Sequence, residues 1–139
     1  MTLYRRFESA VPNRRGAHPG VFALANGLAA AGVLSAADFT WWRDANDRAN
    51  KTYVDPSTVL SDCYDTVVNP GARSWFKESA VNLIDMTRTY LTLLDRYDVP
   101  WVELRISHPG RITYEDDVQL VTVPLHFPED WPFPPSQRR

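Results

Sequence analysis

The chain has 139 residues, 44% of them hydrophobic, and a formal net charge of −2. That length suits one domain able to bury a core, and so small a net charge excludes a global field drawing it to nucleic acid or membrane as its main partner. Cys63 is the one cysteine, which excludes an internal disulfide and a cysteine-based metal cluster.

Lys51 and Lys77 are the only lysines, so nearly all cationic side chains are arginine, the residue suited to bidentate recognition of carboxylate and phosphate. Residues 1–18 lack the apolar centre of a signal peptide, and no apolar run is long enough to cross a bilayer. The expectation is a soluble, cytoplasmic protein without a membrane partner.

In chain order, Leu3, Arg5 and Phe7 alternate with Tyr4, Arg6 and Glu8, the period of a short strand, expected near a sheet edge. Pro12, Asn13 and Gly16 mark a loop carrying Arg14 and Arg15. His18-Pro19-Gly20 opens a first helix, with Val21, Phe22, Leu24, Ala25, Leu28 and Ala29 as its apolar face and Gly32 as its stop. Because helix N-termini attract anions, Arg14, Arg15 and His18 form the best candidate anion site, with His18 able to serve as acid or base.

Ser35 and Asp38 have the spacing of a capping box, and a second helix is expected over residues 36–51. Phe39, Trp42, Ala45 and Ala49 form its stripe; Arg43, Asp44, Asp47, Arg48 and Lys51 form a charged face. Trp41 and Trp42 lie about 100° apart on such a helix, so one of them is expected to line a groove or a second surface. Both are candidate ligand contacts. Residues 52–68 lack a clean period, and Asp55-Pro56-Ser57 is a turn signal.

Asn69-Pro70 reads as a helix start. Ala72, Phe76, Ala80, Leu83, Thr87, Tyr90, Leu94 and Tyr97 follow at steps of three or four, predicting a long third helix over residues 70–97. The period then changes to two. Strands are expected at 102–106, 111–114 and 118–123, joined as an antiparallel meander packed on the long helix. Residues 127–139 form a proline- and aromatic-rich extended tail, in which Trp131 and Phe133 are candidate partner contacts. The expected organisation is a single α+β domain over 1–126 followed by this tail.

The predicted class is therefore α+β: about three helices, the third the longest, on an antiparallel sheet of three to four strands built mainly from residues 101–124. No metal site is predicted, since no two of His18, His108 and His126 form a ligand pair, and no cofactor motif is present. Cys63 sits between Asp62 and a second acid, Asp65, which disfavours a thiolate nucleophile. The leading functional expectation is a small binding or accessory protein that recognises a protein partner or a small anionic ligand through aromatic and arginine side chains. The alternative is a small enzyme acting on an anionic substrate, with Arg14 and Arg15 as binders, His18 as acid or base, and Tyr114 and Glu115 as helpers. Self-association as a homodimer is a further expectation.

Overall fold

A computed structural model describes residues 2–126 and 129. In chain order the elements are β1 (Tyr4–Ser9), α1 (Val21–Ala30), α2 (Ala36–Thr52), a single 3-10 turn (Pro56–Thr58), β2 (Arg73–Lys77), α3 (Val81–Arg96), β3 (Trp101–Ile106), β4 (Arg111–Glu115) and β5 (Gln119–Val123). The class is α+β, with three helices packed on one antiparallel sheet. The sheet has five strands in the order β3-β1-β2-β5-β4. Among the described residues no helix is long and apolar enough to cross a membrane.

The predicted 70–97 helix is corrected. Its second half is helical as α3, but residues 73–77 are a strand in the middle of the sheet. The reason lies in Trp75 and Phe76, which are adjacent and both buried. Neighbours on a helix diverge by about 100°, whereas neighbours on a strand point to opposite faces. On β2, Phe76 joins the core beneath the helices, while Trp75 joins Leu104 and Leu120 in a separate cluster. Each aromatic ring thus finds its own apolar environment, which one amphipathic helix could not provide. Asn69 is not an N-cap but a loop anchor: its Nδ2 donates to the Asp62 carbonyl and its Oδ1 accepts from Arg111.

Two further expectations about the sheet are revised. β1 is an inner strand, paired with β3 along its whole length and with β2 at one end, rather than an edge. The strands read over 102–123 are present, but only β4 and β5 form a hairpin; β3 and β4 occupy opposite edges.

That placement forces the sheet to curl. Only residues 107–110 link β3 to β4. The five Cα steps from Ile106 to Arg111 reach at most about 18 Å, whereas the outer strands of a flat five-stranded sheet lie about 19 Å apart. The two residues also pair near opposite ends of their strands: Ile106 with Tyr4, which itself pairs with Lys77, and Arg111 with Val123. Only a sheet rolled toward a half-barrel brings them within reach. The link is pinned where Thr122 Oγ1 donates to the Pro109 carbonyl at 3.0 Å. Gly110 then passes so close to β5 that a Cβ would stand 2.1 Å from the Val123 carbonyl oxygen, at φ +127°, so only glycine fits.

The helices lie across the other face. α3 presents Leu83, Ile84, Thr87, Tyr90, Leu91, Leu93 and Leu94 as buried residues, and Val21 and Ala25 of α1 meet them with Phe7 and Phe76. Each fully buried Leu stabilises the fold by roughly 1.5–3 kcal/mol relative to exposure. α1 stops where expected, with Gly32 at φ +72°. Ser35 caps α2 by accepting from the Asp38 backbone N–H at 3.1 Å, as the capping-box spacing predicts. Asp38 in turn accepts from the Tyr97 hydroxyl and from Arg96, so the start of α2 is tied to the end of α3.

Candidate functional site: a cleft between helices and sheet

A cleft of about 640 Å³ opens between α1, α2, α3 and the sheet, within the size range of small-ligand sites. Its chemistry changes along its length. The sheet end is lined by Arg6, His18, Arg73, Ser74 and Tyr64; the middle by Phe22, Phe76, Leu83, Met86 and Tyr90; and the helical rim by Asn26, Asn46, Asn50 and Tyr53.

The sheet end exists because β1 and β2 part. Their pairing covers only Tyr4 with Lys77 and Arg5 with Phe76. Beyond that point Arg6 bridges the gap with its side chain. Its Nη1 donates to the Ser74 carbonyl of β2 at 3.1 Å, its Nη2 to the His18 carbonyl at 3.0 Å, and its Nε to Glu8 Oε1 at 2.8 Å. Arg6 and Glu8 are 7% and 1% exposed, so this is a buried ion pair. Such a pair is costly to desolvate and strongly destabilising to break. The 18–20 segment follows β1 as a short bridge: Glu8 pairs with Gly20, and the Ser9 N–H donates to the Pro19 carbonyl. His18 is thereby carried inward and is 3% exposed. Its Nδ1 lies 2.9 Å from the Ser9 carbonyl and 3.9 Å from Glu8 Oε2. A carbonyl only accepts, so Nδ1 carries a hydrogen.

The rim is set by a directed chain of hydrogen bonds. Trp42 Nε1 donates to Asn26 Oδ1 at 3.0 Å, Asn46 Nδ2 donates to the same oxygen at 3.0 Å, and the Tyr90 hydroxyl donates to Asn46 Oδ1 at 2.6 Å. Indole N–H is a donor only, so the orientation of both amides follows from Trp42. The Tyr90 ring also stands edge-on to Phe22 at 4.9 Å and to Trp41 at 5.2 Å. Burial pushes the Tyr90 hydroxyl up to about 12, so it remains a neutral donor at ordinary pH. Burial likewise pushes Tyr64, at the sheet end, above its ordinary value.

The residues singled out from the sequence are distributed unevenly about this cleft. His18 lines it. Arg14 and Arg15 are exposed in the Asn13–Gly16 turn and do not, so the structure does not assemble Arg14, Arg15 and His18 into one anion site. His18 also precedes the N-cap Gly20 and is turned toward β1 rather than presented at the helix end. Tyr114 and Glu115 are on β4, away from the lining. The Tyr114 hydroxyl donates to Asp116 at 2.7 Å, a bond that, with burial, pushes it up to about 12, and Glu115 pairs with Lys77 at 2.7 Å. Trp42 supports the rim from behind through Asn26, and Trp41 lines a second depression of about 310 Å³ with Asp38, Thr89 and Arg96. Trp131 and Phe133 lie outside the described residues. Cys63 is buried beside Tyr114 and Val121, and burial, followed by Asp55 and Asp62, pushes its thiol up. Among the described residues no three His, Cys, Asp or Glu side chains converge as a metal site.

Arg6, Arg73, Asn26 and Asn46 were not legible as site residues. One signal for the amides does exist: Asn26 and Asn46 each follow an aromatic by four positions, Phe22 and Trp42, so each interrupts the edge of an apolar stripe with an uncharged polar group. Fold and site define an α+β protein with a ligand-sized cleft of graded polarity. Comparison of the chain with protein-family models, curated proteins and solved structures returned no match.

Proposed function

We propose that this is a small-molecule binding protein whose cleft takes a compact ligand with an apolar body. The observation that carries the reading is the cleft itself, about 640 Å³, with Phe22, Leu83 and Met86 along its middle and the amides of Asn26, Asn46 and Asn50 at its rim. The aromatic and aliphatic middle of the cleft supplies the area that small ligands bury.

The test is calorimetric titration of the full-length protein with benzoate, benzamide and acetophenone. At least one is expected to bind, and Phe22→Ala, which removes a ring from the wall of the cleft, is expected to weaken that binding about tenfold, the size of one lost aromatic contact. Absence of heat or thermal stabilisation with all three overturns the reading.

A further inference from the structure

The two outer strands of the sheet are finished differently. β4 is a protected edge: its pairing with β5 shifts between Ile112 and Tyr114, and Thr113 Oγ1 donates to the Cys63 carbonyl of the loop beside it. β3 has no such device. It pairs with β1 over six consecutive residues without a shift and contains no proline, glycine or lysine. Bulges, prolines and lysines are what keep a strand edge from pairing with another chain. Among the described residues, β3 is bonded as a strand to β1 alone.

The direction of its backbone groups follows from β1. The Ser9 N–H donates to the Pro19 carbonyl and the Ser9 carbonyl accepts from His18 Nδ1, so Ser9 faces away from β3. One residue on, the Ala10 N–H donates to the Pro100 carbonyl, on the β3 side. By alternation Tyr4, Arg6 and Glu8 address β3, and their partners Ile106, Leu104 and Val102 point back at β1. The N–H and C=O groups of Trp101, Glu103 and Arg105 therefore face outward along the open edge.

Charge selects the register in which an identical strand can pair there. Centring on Glu103 or on Arg105 sets that residue against its own copy, and like charges directly opposite are destabilising. Centring on Leu104 sets Glu103 against Arg105 of the second copy, twice by symmetry, with outward backbone groups on both. Val102 and Ile106, both half-buried, then meet on the other face. Arg105 commits its Nε to Glu103 of its own strand at 2.9 Å, but its side chain is 35% exposed, which leaves the guanidinium tip able to reach across.

We infer that β3 is the docking edge for a second copy of this chain, paired antiparallel about Leu104. The inference is independent of the reading of the cleft. A formal net charge of −2 opposes association only weakly. One short ribbon is a small interface, so a weak dimer is expected, with Kd about 1–100 μM.

The test is sedimentation equilibrium of the full-length chain from about 2 to 500 μM, a range that brackets that constant. The wild type is expected to pass from monomer to dimer. Arg105→Glu sets carboxylates opposite each other at two positions and is expected to weaken the dimer about tenfold or more. The double variant Glu103→Arg/Arg105→Glu restores opposite charges in this register and is expected to return to within about threefold of wild type. Arg43→Glu makes the same change of net charge on the solvent side of α2 and is expected to alter the constant by less than about twofold. A monomer at every concentration overturns the inference. So does a dimer that Arg105→Glu leaves intact, one that the double variant fails to restore, or an equal loss in Arg43→Glu. Should a charge variant fail to fold, wild-type amide exchange decides: the Glu103 and Arg105 N–H groups are expected to slow severalfold between dilute and concentrated samples, and unchanged exchange overturns the inference.

Discussion

Helices α2 and α3 have nearly the same length, 17 and 16 residues, yet they are held in the fold by different forces. α3 buries seven side chains, six of them apolar or aromatic. α2 buries only Ala45. Its Phe39 is 40% exposed, and it is attached by named polar bonds: Asp38 to Tyr97 and Arg96 at its start, Trp42 to Asn26, and Asn46 to Asn26 and Tyr90 midway. One helix is a core element stabilised by area. The other is a wall stabilised by geometry, and it gives the cleft Asn46, Ala49 and Asn50 of its rim. Elements with few buried apolar contacts open at lower free energy than the core, which suits a helix past which a ligand must move.

Substitutions on the two helices break or sharpen this contrast. Leu94→Ala on α3 removes a side chain with 0% exposure and is expected to lower unfolding free energy by about 2–5 kcal/mol in urea titration. A value below about 1 kcal/mol would mean that α3 is not the core helix. Asn46→Ala on α2 leaves the buried Tyr90 hydroxyl without its acceptor and frees one lone pair of Asn26. It is expected to cost about 1–3 kcal/mol and, unlike Leu94→Ala, to alter ligand preference in the cleft. Arg43→Ala, on the solvent side of α2, removes a pairing with Asp44 at 3.7 Å between two well-exposed side chains. Its effect is expected to stay within about 0.5 kcal/mol; a larger loss would show that the charged face of α2 contributes to the fold.

Alkaline titration tests the α2–α3 junction without mutation. The Tyr90 hydroxyl is raised by burial from 10.0 to about 12, so the folded state favours its neutral form. Its contribution is complete below pH 10 and is lost as pH rises toward 12. Thermal midpoints should therefore fall across that window, together with the rise of phenolate absorbance. Tyr114 titrates in the same window, raised to about 12 first by its hydrogen bond to Asp116 and then by burial; Tyr64 is also raised by burial, so the double variant Tyr64→Phe/Tyr114→Phe separates the Tyr90 component. At the acid end Glu103 behaves oppositely. Burial pushes it upward, but hydrogen bonds from Arg5 and Arg105 together outweigh burial and hold it below 4.5, so its contribution is present above that pH and is lost as pH falls further.

Much of the local structure was readable along the chain, because the physics behind it is local. Ser35 three residues before Asp38 is sufficient for the α2 cap, Gly32 for the end of α1, and strict alternation for β3. The stretch around Trp75 and Phe76 was not readable, since spacings of three and four from Ala72 to Leu83 satisfy a helix while residues 73–77 carry no apolar–polar alternation to mark a strand. The tie is broken by long-range partners: β1 and β5 on either side of β2, and two separate apolar clusters for the two rings. The site was still less readable. Arg6, His18, Asn26, Asn46, Arg73 and Tyr90 are strung over more than half of the sequence, and nothing local relates them.

By itself, then, the sequence determined the α+β class, the identity of the three helical regions and the period-two segments, because side-chain periodicity and caps act within a few residues. Tertiary structure alone decided that β1 and β2 are inner strands, that the sheet curls, and that β1 and β2 part to leave a gap bridged by Arg6. These outcomes depend on which distant surfaces can be buried together and on how far a four-residue link can reach, and neither quantity is written in any local window of the chain.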